Sequence, residues 1–126
     1  MMLVRTAGVK PVLLDEERIQ EVLELLCAED AGAFDRWIAQ LDTDLVKFRA
    51  LLASAGNPDG KRDIHTAAHA LKGACLVIGA QALATLFAEL EACAKAGDLT
   101  EVNRHYAAGR ELEAETLTAL KAASAK

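Results

Sequence analysis

Apolar residues recur along most of this chain at alternating steps of three and four, the spacing of one buried helix face. After an aperiodic opening that ends at Pro11, Asp15 is a candidate N-cap with Glu16, Glu17 and Arg18 behind it. Ile19, Val22, Leu23 and Leu26 form the apolar face of a short first helix, and "CAEDAG" breaks it. A second, long helix is expected from about Ala31 to Ser54, with Phe34, Ile38, Leu41, Leu45, Phe48 and Leu52 as its core seam and Trp37 and Leu51 just beside it. "SAGNPDGK" is the clearest turn. A third helix is expected over Gly60–Ile78 and a fourth over Ala80–Ala96, the fourth with Leu83, Leu86, Phe87, Leu90 and Ala94 inward and Gly97 as its terminating residue. The pattern predicts one fifth helix from Thr100 to about Ala123, with Val102, Tyr106, Gly109, Glu113, Leu117 and Leu120 in one broad stripe. Glu113 fits that stripe poorly, and Leu112 lies close enough to share the core.

Four substantial helices with short connections predict an all-α, antiparallel up-down four-helix bundle with a short additional N-terminal helix. The expected organisation is a tail at 1–11, one helical domain over 12–123, and a tail at 124–126. Alanine and leucine dominate the composition and aromatic residues make up only 4%, which favours helices over strands. The net charge of −5, with no basic block, argues against a nucleic-acid surface. No apolar run approaches the ~20 residues of a membrane span. The start of the chain reads as neither a secretion signal nor an anchor. Cys27, Cys75 and Cys93 are widely spaced and lie among apolar neighbours, so each reads as a small buried hydrophobe in a reducing, cytoplasmic setting.

The candidate chemistry lies in "HTAAHALKGACLVIGA", residues 65–80. Ile64, Ala68, Leu71, Cys75 and Ile78 share its inward stripe. At about 100° per residue, His69 lies about 140° from the stripe's centre, Gly73 near ~180°, Arg62 near ~160°, Leu76 near ~120°, His65 near ~100° and Lys72 near ~80°. His69 is therefore an outward imidazole with cationic neighbours. Gly73 costs the helix roughly 1 kcal/mol relative to alanine. It sits at i+4 from His69, where a missing side chain gives a large group access to the ring. Lys72 at i+3 suits an anion on that ring, and a phosphoryl group fits both features. A chain reversal near Gly79 would place Glu91 opposite His69. There its carboxylate could accept from Nδ1–H and leave Nε2 unprotonated as a nucleophile. Lys95, one turn on, is expected to pair with Glu91. A surface histidine, a mid-helix glycine or a lysine alone is most often only structural; their combination is what carries the reading.

These residues resemble the histidine-containing phosphotransfer (HPt) domain of bacterial multistep phosphorelays. The resemblance runs over roughly residues 12–123. It rests on His69, Lys72, Gly73, the Gly79–Ala80 turn, Leu90–Glu91, and Gly97–Asp98. Leu76, Val77 and Ile78 depart from the small polar residues more usual in the family, and Glu91 stands where glutamine is frequent. The resemblance implies that a receiver-domain aspartate passes its phosphoryl group to Nε2 of His69, which passes it to a second receiver. The implied partners are response-regulator receiver domains and a hybrid histidine kinase, with Mg²⁺ on the receiver and no cofactor on this chain. It implies a monomeric phosphocarrier without kinase activity, consistent with the lack of a Gly-rich phosphate loop. His65, Leu76, Lys95 and Arg62 are expected to border the receiver-docking surface. Other readings weigh less. The dimerising region of a histidine kinase usually has an acidic residue straight after its histidine, and Ala70 follows here. His65 and His69 have the i, i+4 spacing of zinc helices, but "HTAAH" lacks the glutamate of the hydrolase motif. A helical adaptor with a degenerate site would not need the full set of residues that is present.

Overall fold

The computed structural model describes residues 12–54 and 60–125; the tail expected at 1–11 and most of the "SAGNPDGK" turn lie outside them. The described residues hold six α-helices and no strand: α1 (Glu16–Cys27), α2 (Ala33–Ala53), α3 (Gly60–Ile78), α4 (Gln81–Lys95), α5 (Leu99–Ala108) and α6 (Arg110–Ser124). The first four match the sequence expectation to within two residues at each end. Asp15 caps α1 as its type predicts, its Oδ1 accepting from the Arg18 backbone N–H at 3.1 Å.

Packing follows the periodicity. The expected seam of α2 is buried except for half-buried Leu52, and the α3 stripe Ile64, Ala68, Leu71, Cys75 and Ile78 is buried throughout. Helix α3 packs most extensively on α4; α2 lies against α3, α5 against α4, and α6 against both α2 and α4. One core forms where these faces meet. Phe48 sits edge-on to Phe87 and Tyr106, with centroids 5.1 and 5.4 Å away, the arrangement that aromatic quadrupoles favour.

The turn that sets the site is built on Gly79. Its φ of +89° ends α3, and the Ala80 N–H returns to the Cys75 carbonyl at 2.8 Å. The segment before α1 and the first turn of α1 strap this turn: Asp15 N–H donates to Gly79 O at 2.8 Å, Ala82 N–H to Leu13 O at 3.3 Å, and Arg18 Nε to Val77 O at 3.0 Å. A Cβ on Gly79 would lie 2.7 Å from Ile19 Cγ1. Gly79→Ala is expected to lower stability by about 2 kcal/mol, through left-handed strain and this clash, measured as the shift in a denaturant midpoint.

Two expectations need correction. The single fifth helix is two helices, α5 and α6, which meet at Gly109 (φ −98°, ψ 3°). Leu86 of α4 packs closely at this junction: its Cδ2 lies 2.7 Å from where a Gly109 Cβ would be, so a larger residue there requires the Leu86 side chain to shift. The stripe itself is correctly placed, because Val102, Tyr106, Glu113 and Leu120 are all buried. The cysteines also differ from one another. Cys75 is buried, and loss of hydration raises its thiol to about 12, whereas Cys27 and Cys93 are only partly covered.

Candidate functional site

Buried apolar residues on both helices fix the rotation of α3 against α4 and bring four polar side chains together. Glu91 is the hub. Its Oε2 lies 2.7 Å from Nδ1 of His69, and its Oε1 accepts from the Lys72 ammonium at 2.9 Å. His65 Nε2 stands 3.7 Å from the same Oε2, outside hydrogen-bond range. The Glu91 side chain is 17% exposed and that of His69 is 65% exposed, so the carboxylate supports a ring that faces solvent.

The electrostatics set the tautomer. The hydrogen bond from Lys72, and after it the one from His69, holds the Glu91 carboxyl below the usual carboxylate value. An ionised carboxylate can only accept, so Nδ1 must carry the proton. In the neutral ring Nε2 then has a free lone pair. The expected His69–Glu91 contact is therefore present.

The cations are placed differently from expectation. Glu91 pairs with Lys72 on α3, and no ion pair joins it to Lys95 among the described residues. A lysine at i+4 on the same helix loses here to one delivered across the helix–helix interface. Lys95 instead lines an open cleft of about 580 Å³ with Lys61, Arg62, His65, His69 and Glu91. Arg62 and Lys95 are exposed, and His65 is half-buried.

Gly73 lies where the geometry of the helix places it: a Cβ there would meet nothing within 4 Å. It opens on a groove of about 270 Å³ between α2 and α3, lined chiefly by Trp37, Leu41, Ala74, Val77 and Ile78. Leu76 and Val77 are 56% and 43% exposed. Leu76 was expected at the docking surface, but the other residues of this apolar wall were not singled out from the sequence as part of the site. Its signals were a tryptophan just off the α2 seam and an apolar Leu-Val-Ile run that continues past the inward stripe. No group of three or more His, Cys, Asp or Glu side chains among the described residues is arranged to hold a metal ion. No helix among them is long and apolar enough to cross a membrane.

Comparison with known proteins agrees with this geometry. The Hpt domain family matches residues 16–123. No curated protein sequence matches the chain. Among solved structures, a rice protein assigned as a histidine-containing phosphotransfer protein aligns with a TM-score of 0.54 at 16% identity, over 96% of this chain and 89% of its own; at that identity the likeness concerns the fold. With the family match running from the first turn of α1 almost to the end of α6, the chain belongs to the Hpt domain family and serves histidine phosphotransfer in a phosphorelay.

Proposed function

We propose that His69 is the phosphoacceptor, taking a phosphoryl group on Nε2 from a receiver-domain aspartate and passing it to another. One observation carries this reading: the 2.7 Å contact between Nδ1 and an ionised Glu91 aims an unprotonated Nε2 into solvent, beside the open face left by Gly73. The nucleophile is oriented in advance, and most of the barrier to phosphoryl transfer yields to positioning and charge stabilisation. Lys72 supplies a positive charge one turn away. It is held by Glu91 before transfer, so part of its charge is already committed.

The partners are receiver domains and a hybrid histidine kinase. The receiver brings Mg²⁺; this chain binds no cofactor and is a carrier rather than a kinase. The receiver docks around His69, on the apolar groove of α2 and α3 with Leu76, and on the rim formed by His65, Arg62 and Lys95. We place the protein in the cytoplasm as a monomer. We also propose that residues 12–123 form one domain between tails at 1–11 and 124–126. In it α2, α3, α4 and the α5–α6 pair make the antiparallel up-down four-helix bundle, with α1 as the additional helix. The test is to mix the protein with a phosphorylated receiver domain and Mg²⁺. It should acquire an acid-labile, base-stable phosphoryl group; none forming with any receiver of the source organism would contradict the reading.

Gly73→Gln separates access from stability. The substitution faces open space and replaces the poorer helix former, so stability should rise by about 0.5 kcal/mol. Transfer to His69 should nonetheless slow by roughly tenfold or more, because the new side chain displaces the incoming partner. Stopped mixing with a phosphorylated receiver reads the rate, and thermal melting reads the stability.

A further inference from the structure

We propose that Glu91 does more than orient the ring: it holds the Nδ1 proton of His69 after the phosphoryl group has arrived, and so keeps the phosphohistidine in its dischargeable form. This rests on His69 as the phosphoacceptor. The starting observation is the charge of the acceptor. A neutral amide or carbonyl could orient a neutral imidazole equally well. Here the acceptor is a carboxylate, mostly shielded from solvent, with Oε2 at 2.7 Å from Nδ1 and Oε1 held by Lys72 at 2.9 Å.

The transfer chemistry shows where that charge acts. The Nε2 lone pair attacks phosphorus, the P–N bond forms, and the P–O bond to the aspartate breaks with its electron pair leaving on the aspartate carboxylate. The Nδ1 proton is not removed in this step. The ring therefore becomes a phosphoimidazolium with one positive charge, directly against Glu91. In discharge the P–N bond breaks, its electron pair returns to Nε2, and a neutral imidazole leaves with Nδ1–H in place. If Nδ1 loses its proton in between, the leaving group becomes an imidazolide anion and discharge stalls. An opposite charge in hydrogen-bond contact favours the charged ring, so it extends discharge to higher pH.

The other charges near the ring do not replace this one. From α3, Lys61, Arg62, His65 and Lys72 face the same region, and from α4, Lys95 does; all are cations or bases that oppose a positive ring. On the α2 side, Asp44 lines the groove that Gly73 opens on, beside Gln40 and Trp37. Glu91 is the anion in direct contact with the ring nitrogen.

Glu91→Gln removes the charge and keeps the shape and an accepting oxygen. Wild type and variant are loaded with phosphoramidate, which phosphorylates histidine without a partner protein. Nitrogen NMR then follows Nδ1 of phospho-His69 against pH, and the hydrolysis rate of the phosphoryl group is measured over the same range. In the variant the Nδ1 midpoint should fall by about one unit, and hydrolysis above both midpoints should slow about tenfold, the equivalent of that shift. Circular dichroism should be unchanged. Equal midpoints and equal hydrolysis profiles in the two proteins would overturn the proposal. Neither readout needs a receiver, so this result stands apart from the separate question of whether a receiver charges His69.

Discussion

His69→Gln protein is expected to take up no phosphoryl group from a phosphorylated receiver domain, while its helicity and melting temperature remain those of the wild type. Both halves follow from the position of the ring. The imidazole is 65% exposed and contributes nothing to the buried face of α3, so its replacement should change stability by no more than about 0.5 kcal/mol. The Lys72–Glu91 pair is made through the other carboxylate oxygen and survives, leaving no charge without a partner. Glutamine can still donate toward Glu91, but it has no lone pair of imidazole basicity to present to phosphorus. Phosphoryl acceptance should therefore fall below detection rather than merely slow. Radiolabel transfer from the receiver, alongside circular dichroism and melting, measures both halves. Labelling of the variant at the wild-type rate would place the acceptor elsewhere.

The largest stability effect is expected at Glu113, far from the site in function but central to the core. Its carboxylate is 5% exposed, receives Arg49 Nη1 at 2.6 Å and accepts from the Tyr106 hydroxyl at 2.5 Å. Burial, and then the bond to Glu113, push the Tyr106 hydroxyl up to about 12. The cluster ties α2, α5 and α6 together across the core. Glu113→Ala removes the only anion of the cluster and leaves the Arg49 guanidinium with the Tyr106 hydroxyl alone. The cost should be about 3 kcal/mol, at the lower end for a broken buried pair because Arg49 is 33% exposed and can recover some hydration. A fall in melting temperature of roughly 10 °C corresponds to that loss. Replacing the whole cluster, as Glu113→Leu with Arg49→Met and Tyr106→Phe, should restore stability to within about 1 kcal/mol of wild type, because well-packed apolar groups substitute for buried ion pairs at little cost. If the single variant melts at the wild-type temperature, the cluster does not hold the helices together.

The contrast between these two positions shows what the sequence could and could not reveal. His69, Gly73 and Glu91 were legible because helical geometry is rigid. Once Ile64, Ala68, Leu71, Cys75 and Ile78 define the inward stripe, every other residue on α3 has a known direction, and the short Gly79 turn fixes which residues of α4 lie opposite. Glu113 was visible only as a misfit in an apolar stripe. Its explanation needs Arg49, 64 residues earlier, and periodicity within one helix says nothing about such a partner. Gly109 was likewise read as one member of a continuous stripe, because the close approach of Leu86 belongs to another helix. Lys95 was assigned to Glu91 by the i, i+4 rule, yet Lys72 reaches that carboxylate from across the interface. The directions of side chains on one helix were readable; the competition among helices for the same partner was not.

The central claim is that His69 Nε2 carries the phosphoryl group, and the most direct measurement is to locate that group on the protein charged by a receiver. Proteolysis under mildly alkaline conditions followed by mass spectrometry assigns it to a residue. The expected result is one phosphoryl group, lost in acid and stable in base, on His69. The same group on His65, His105 or a carboxylate, with His69 unmodified, would contradict the account.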